Sequence, residues 1–130
     1  MERIRANAAA HGVAHAVAVV HGAAPRALAE LPDPDAVFVG GGGADLAGLV
    51  ALAAARARRT VVVTLAALDR VPEARRALLE AGLAVEGVQL QANRLAPLPG
   101  EVTRLAATNP VFVLWGVRPA APTVSQGVQT

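Results

Sequence analysis

The chain has 130 residues and a formal charge of +2, and its basic side chains are all arginine. Hydrophobic residues make up 54% and charged residues 17%, which excludes a disordered chain and allows one folded domain with a buried core. The absence of cysteine excludes a disulfide framework, a thiolate zinc site and a cysteine nucleophile. The absence of lysine excludes a Walker-type phosphate loop and a Schiff-base enzyme.

The isoelectric point of about 11.0 does not indicate a nucleic-acid partner. Because the chain has no Lys, Tyr or Cys, none of its side chains titrates between neutral pH and the pKa of arginine. A small excess of arginine over acidic residues is therefore enough to raise the isoelectric point this far. The densest basic segment, Arg56 to Arg59, stands at the end of a predicted helix, where cations interact favourably with the last carbonyls. We therefore favour a role at the helix end for these arginines over the binding of nucleic-acid phosphates. The three aromatic residues are too few for a base-stacking platform.

No segment of the sequence has the pattern of a leader or a membrane span. Met1 to Arg5 begins a polar helix, and apolar stretches such as Leu46 to Ala55 are well short of the roughly 20 residues that cross a bilayer. We expect a soluble, cytoplasmic protein without a membrane partner, and the sequence leaves a homo-oligomer open.

Helix-type and strand-type patterns alternate in the first half of the chain. Gly12 can take the left-handed conformation that closes a helix, and Pro25 fits a first helical turn. The predicted elements are a helix over residues 2–11, a strand over His15 to His21, a short helix through Leu31, a turn over 32–35 and a strand over Ala36 to Val39.

The second half continues the alternation until two strands follow each other. Asp45 is placed to cap one helix, and Asp69 precedes Val71-Pro72-Glu73, a strong start for another. The predicted elements are a helix over 46–58, a strand over 60–64, a helix ending near Gly82, a strand over 83–91, a hairpin arm or loop over 93–108 and a strand over 110–117. Residues 119–130 are expected to form a disordered tail.

This order of elements predicts an α/β fold. Strands separated by helices pair in parallel through right-handed crossovers, whereas the last two strands, with no helix between them, should run antiparallel. Trp115, in the last strand, is expected in the core.

The most informative segment is the glycine block that follows the second predicted strand. Gly40 to Gly43 stand between Val37-Phe38-Val39 and Asp45, at the carboxyl end of a buried strand, where open α/β sheets bind ligands. Bare backbone lets a ligand approach closely. We favour a ligand edge over a merely flexible turn, because four glycines exceed what one tight turn requires.

Other polar residues have simpler interpretations. His11 and His15 are interrupted by Gly12 and are expected to be surface or capping residues rather than metal ligands. His21 is interpreted as a strand-end histidine, and Asp33 and Asp35 as turn residues. No metal site and no catalytic triad are predicted.

Four segments carry a resemblance to a known family: Ala6 to Val13, Gly22 to Leu28, Leu31 to Gly41, and Glu101 to Val117, which includes Asn109-Pro110-Val111. In order and spacing they resemble the precorrin-6Y C5,15-methyltransferase (decarboxylating) family, and in particular its C15-methylating part. The likeness covers about residues 2 to 118. It implies a Rossmann-like, class I methyltransferase fold: a three-layer sandwich with a mostly parallel sheet and a carboxyl-terminal antiparallel hairpin.

The chain departs from the family pattern at its beginning. The family starts with two strands and an Asp-x-Gly-x-Gly loop that holds S-adenosyl-L-methionine, and this chain matches the pattern only after them. The resemblance therefore implies a partial methyltransferase domain over residues 1–118. Without the two strands, His15 to His21 should either pair directly with Ala36 to Val39 or leave the chain unstable.

The resemblance also assigns roles to individual residues. Gly22, Ala23 and Ala24 would lie beside the adenine of S-adenosyl-L-methionine, although the family commonly has an acid where Ala23 stands. Gly40 and Gly41 would face the reacting end of this cofactor. Gly42, with Asn93 and Arg94, would meet the precorrin tetrapyrrole, since arginine matches carboxylates. A solvated Arg94 remains the alternative.

The implied function is methylation of C15 of a precorrin with loss of the C12 acetate carboxyl, in cobalamin biosynthesis. Catalytic residues are not identified, because such a transfer depends mainly on proximity and orientation. The alternatives are a non-catalytic remnant or interaction module of the same fold, and a generic nucleotide-binding α/β protein.

Overall fold

A four-stranded sheet with helices on one face organises the chain from Asp33 onward. The computed structural model describes residues 1–121, which divide into two compact units, residues 1–32 and the residues from Asp33 onward. The helices are α1 (Glu2–Ala10), α2 (Leu46–Arg56) and α3 (Val71–Glu80). The strands are β1 (Ala36–Gly40), β2 (Thr60–Leu65), β3 (Ala84–Leu90), β4 (Asn93–Leu98), β5 (Val102–Ala107) and β6 (Val111–Val117).

The strand order of the main sheet is β1–β2–β6–β3. β1 and β2 pair in parallel, and β6 runs antiparallel to both β2 and β3, so three of the four strands point the same way. The α/β class, the shared direction of the first strands and the antiparallel closing pair are confirmed. β1 is an edge strand, since β2 is its only neighbour in this sheet.

One face of the sheet holds the hydrophobic core. Val61 and Val63 of β2 are fully buried, because every second side chain of a strand points to the same face. Val50 of α2 and Leu78 of α3 are equally buried against that face. The core also contains four alanines of the two helices, which let α2 and α3 pack closely together and onto the sheet: Ala53, Ala54, Ala74 and Ala77.

The opposite face of the sheet is not covered by α2 and α3. We call it the open face; its apolar members are Phe38, Val62, Val88, Leu90, Val111, Val113, Trp115 and Val117. The expectation that Trp115 lies in the core was wrong: its partners in register are Val62 and Glu86, and it is only half-buried. The pattern of β6 did not show which of its two faces the helices cover.

The strand predicted over His15 to His21 does not form. Ala14–Ala16 is a 3-10 helix and residues 17–21 have no regular structure. An extended segment needs a neighbouring strand for its backbone N–H and C=O groups, and the segment pairs with none in the structure. Of the two predicted alternatives, direct pairing with Ala36 to Val39 does not form among the described residues, and the instability of the chain stays a prediction. The next predicted helix is shorter than expected, a 3-10 turn over Arg26–Leu28.

The helix ends are fixed by glycine and arginine. Gly12 and Gly82 follow α1 and α3 with φ of 68° and 80°, the left-handed conformation expected at these positions. At the end of α2 the helix-end position of Arg56 is confirmed, since it lies in the last turn, while the guanidinium that donates to the carbonyls of Ala54 and Ala57 is that of Arg118. Arg56 instead pairs with Asp33, at 2.9 Å.

β4 and β5 form a separate antiparallel hairpin, the arm that the sequence left open between hairpin and loop. Leu95 and Leu105 stand opposite each other in it and are largely exposed. In residues 1–121 no helix is both long and apolar enough to cross a membrane. The tail expected over residues 119–130 lies mostly outside the described residues.

Two adjacent leucines of α3 test the one-sided core. Leu78 has 0% of its surface exposed and Leu79 has 43%. We expect Leu78→Ala to lower the free energy of unfolding by about 2–5 kcal/mol, because it leaves a cavity between α3 and the sheet. Leu79→Ala should cost less than about 1 kcal/mol. Urea denaturation followed by circular dichroism measures both values, and equal losses would contradict this assignment of the buried face.

Amide hydrogen exchange tests the corrected reading of residues 17–20. Val17 to Val20 lack ladder hydrogen bonds, so their amides should exchange rapidly. Val61 to Val63, in the central strand β2, should exchange slowly and serve as the internal control. Protection of Val17 to Val20 equal to that of β2 would mean that a strand forms there after all.

Candidate functional site

The glycine loop lies where β1 ends, and two contacts determine its path. Gly41 has φ of 77°, and its N–H donates to the carbonyl of Thr64 at 3.0 Å, which extends the β1–β2 ladder by one bond. A Cβ on Gly42 would clash with the side chain of Leu46, the first residue of α2. Gly41 therefore needs glycine for its conformation and Gly42 needs it for close packing.

Arg70 ties this loop to the turn after β2. Its Nη1 donates to the carbonyl of Gly43 at 3.1 Å and pairs with the Glu73 carboxylate at 3.0 Å. Sequence reasoning did not single out Arg70. The three-residue spacing between Arg70 and Glu73 at the start of α3 indicated an ion pair, but its reach to Gly43 depends on the tertiary structure.

Asp45 is confirmed as a helix cap. Its carboxylate accepts a hydrogen bond from the N–H of Gly48 at 3.1 Å, and a Cβ at Gly48 would clash with that carboxylate. A negative charge already occupies the amino end of α2, so this helix end does not favour a second anion.

Asn93 and Arg94 are the first residues of β4, in the segment that the sequence left open between hairpin arm and loop. They follow the carboxyl end of β3, which points the same way as β1 and β2, so they belong to the same edge of the sheet as Gly41 and Gly42. β1 and β3 are three strand spacings apart, about 14 Å. Gly41 and Gly42 thus lie at one end of this edge of the sheet, and Asn93 and Arg94 lie at its other end.

Gly22, Ala23 and Ala24 lie in the unit of residues 1–32. All three are exposed and lead into the 3-10 turn that begins at Arg26, where the N–H of Ala27 donates to the carbonyl of Ala23 at 2.9 Å. Gly22 must be glycine, because a Cβ would come within 2.6 Å of the Ala27 side chain. That these residues share a site with Gly40 and Gly41 stays a prediction.

The titratable groups do not gather into a reactive cluster. Asp33 and Asp35 form ion pairs with Arg56 and Arg58, at 2.9 and 3.5 Å. Among residues 1–121 there is no group of three or more His, Asp or Glu that could hold a metal ion. The described part of this edge is therefore shaped by backbone and by Arg70.

The fold is that of the class I S-adenosylmethionine-dependent methyltransferases. A crystal structure of precorrin-6Y C5,15-methyltransferase from Geobacter metallireducens superposes with a TM-score of 0.76 at 30% identity, and a precorrin 8w decarboxylase from Methanobacterium thermoautotrophicum with 0.76 at 28%. The precorrin methyltransferase domain family matches residues 1–125, and the chain belongs to this family.

The relatives are longer than this chain. A Pyrobaculum calidifontis protein named "Probable cobalt-precorrin-6B C(15)-methyltransferase (decarboxylating)" is 38% identical over 109 residues, which are 83% of this chain and 55% of that protein. The two crystal structures cover 89% and 86% of this chain, which corresponds to 60% and 61% of their own chains. The chain thus spans little more than half the length of the proteins it matches.

Removing the Arg70 side chain tests its hold on the glycine loop. We expect Arg70→Ala to speed amide exchange of Gly42 and Gly43 severalfold, because the loop loses its link to α3, while the stability of the core changes little. Arg76→Ala is the matched control, an exposed arginine within α3 whose side chain makes no hydrogen bond to the other described residues. Equal exchange rates in both variants would contradict the link. The measurement is NMR-detected hydrogen exchange.

Proposed function

We propose that the chain forms part of a S-adenosyl-L-methionine-dependent methyltransferase that methylates C15 of a precorrin, with decarboxylation of the C12 acetate side chain, in cobalamin biosynthesis. Membership of the precorrin methyltransferase domain family supports the substrate class. The observation that carries the proposal is the glycine turn at the carboxyl end of parallel β1, tied to the end of β2. Ligands bind at this position in open α/β sheets.

The glycine loop fits the approach of a cofactor. At Gly41 and at Gly43, apart from the adjoining residues, no atom of residues 1–121 lies within 4 Å of the position that a Cβ would occupy, so the backbone borders open space there. The Gly41 N–H is used by Thr64, so Gly40 and Gly41 would offer contact surface rather than this hydrogen-bond donor. Gly22, Ala23 and Ala24 would take the adenine end, where the methyl groups of the two alanines would give an aromatic ring an apolar contact.

The substrate would extend along the same edge toward the β4–β5 hairpin. A precorrin carries acetate and propionate side chains, and the guanidinium of Arg94 matches a carboxylate with two parallel hydrogen bonds. Arg94 is exposed and has no ion pair within residues 1–121, so it is available for such a ligand. Asn93 and Gly42 would contact the ring and its side chains from the two sides of the edge.

The proposed methyl transfer requires few catalytic side chains from the protein. When bound, S-adenosyl-L-methionine would supply an electrophilic methyl group on its sulfonium sulfur. This chain would hold the tetrapyrrole beside the glycine loop. Proximity and orientation supply most of the rate in such a transfer. This agrees with the lack of a cluster of titratable residues at the edge of the described sheet.

A non-catalytic module of the same fold is the second candidate. It is favoured by the length comparison, because the matched region is 55% of the Pyrobaculum protein and 60% of the Geobacter chain. In that case the glycine edge would be retained while cofactor affinity is lost.

Calorimetric titration with S-adenosylhomocysteine distinguishes the two candidates. We expect binding by this chain and an increase of the Kd of about tenfold in Gly40→Val, because the new side chain, whose Cβ would stand 3.2 Å from Phe38 Cε1, adds bulk where the glycine loop begins. Ala36→Val is the control, since Ala36 stands on the same face at the other end of β1. No heat at millimolar ligand would eliminate cofactor binding by this chain and favour the non-catalytic module.

A further inference from the structure

A cavity of about 590 Å³ lies at the amino end of β2. It is lined by three arginines together with polar and apolar residues that include Arg58, Arg59, Thr60, Val117, Arg118 and Pro119. The glycine loop is bonded to the other end of β2, so roughly 15–20 Å of strand separate it from this cavity. The cavity is therefore a different place from the candidate site described above, and its lining lies within the unit from Asp33 onward.

Two of these arginines stand opposite each other where the β2–β6 pair ends. Thr60 and Val117 are the last residues in register, and one step beyond them the N–H of Arg118 donates to the carbonyl of Arg59 at 2.8 Å. Like charges that face each other directly across two antiparallel strands repel and destabilise the pairing. An anion bound by both guanidinium groups turns this repulsion into attraction, so the position favours an anionic ligand.

The side chain of Arg118 is held in one position by α2. Its Nε and Nη2 donate to the carbonyls of Ala54 and Ala57, whereas its Nη1 makes no hydrogen bond to the described residues. A side chain that is already ordered loses little further rotamer entropy when a ligand binds to its remaining donors. Arg118 is thus a preorganised donor at the cavity.

The carboxylates of this region neutralise only part of its positive charge. Arg56 pairs with Asp33 at 2.9 Å and Arg58 pairs with Asp35 at 3.5 Å. Arg58 and Asp35 are each 65% exposed, so solvent screening weakens their pair. The side chain of Arg59 makes no ion pair and no hydrogen bond to the described residues. The positive excess of this small region therefore has no protein counter-ion in the described part of the chain.

We propose that this cavity binds a small molecule that carries a phosphate or carboxylate group and an apolar part. The guanidinium of Arg59 and the Nη1 of Arg118 hold the oxyanion, because arginine donates paired hydrogen bonds to carboxylates and phosphates. Val117 and Pro119 contact the apolar part. The volume of the cavity lies in the range of roughly 300–1,000 Å³ that is typical of small-molecule sites. The proposal does not depend on the proposed function, since the ligand binds at the opposite end of β2 from the glycine loop.

Titration of the full chain with phenyl phosphate and with benzoate, followed by NMR of the backbone amides at constant ionic strength, tests the proposal. Both probes carry the same apolar ring, so the tighter one identifies the preferred oxyanion. We expect saturable shifts of the Arg59, Thr60 and Arg118 amides with at least one probe, and no shift of the Gly41 and Gly42 amides. Inorganic phosphate should bind severalfold more weakly than phenyl phosphate, because it makes no apolar contact.

Two variants with the same change in charge separate a site from general attraction of anions. Arg59→Gln should raise the Kd of the tighter probe about tenfold, because it removes charged donors from the oxyanion. Arg104→Gln removes an exposed arginine of β5 and should leave the Kd unchanged. Arg59→Lys keeps the charge without the fork of donors and should give an intermediate Kd. Circular dichroism checks that each variant is folded.

Any of three results would overturn the proposal. The first is that neither probe gives saturable shifts in the folded chain. The second is an equal rise of the Kd in Arg59→Gln and Arg104→Gln, which would mean that the probes respond to net charge alone. The third is that a hexapeptide of glutamate binds at Arg59 and Arg118 while neither small probe does, which would indicate a protein partner instead. Binding of S-adenosylhomocysteine, at the other end of the sheet, is a separate measurement with a separate outcome.

Discussion

One-sided burial of a twisted sheet is the constraint on which the rest of this structure depends. Val61 and Val63 of β2 pack against Val50 and Leu78 of the two helices, and all four side chains are fully buried. This contact sets which face of each strand is interior, and the strand directions then bring the ends of β1, β2 and β3 to the same edge. The glycine loop and the start of the hairpin lie there as a consequence.

The candidate site owes its form to backbone more than to reactive side chains. Gly41 continues the ladder to Thr64, Gly42 lies against Leu46, and Arg70 holds the Gly43 carbonyl. Such an edge can position a ligand but offers no cluster of acids or bases in the described residues. That combination agrees with group transfer between two bound molecules, for which orientation supplies much of the rate.

The same burial pattern explains the largest failure of sequence reasoning. His15 to His21 alternates as a strand does, but a strand exists only where a neighbour accepts its backbone groups. Among the described residues, no strand pairs with residues 17–21. The lack of a neighbouring strand, and not the local pattern, therefore explains why these residues have no regular structure. Trp115 was misplaced for a related reason, since periodicity shows two faces but not which one is covered.

The amino-acid pattern by itself determined the alternating elements, the helix boundaries near Asp45, Gly12 and Gly82, the glycine loop after β1 and, through its resemblance, the family. These features are local, because turn chemistry, capping and short-range periodicity act within a few residues. Only the tertiary structure decided the link from Arg70 to Gly43, the cap that Arg118 provides to α2 and the exposure of Phe38. Each of these joins segments far apart in the chain or depends on whether a second layer is present, and no local pattern carries that information.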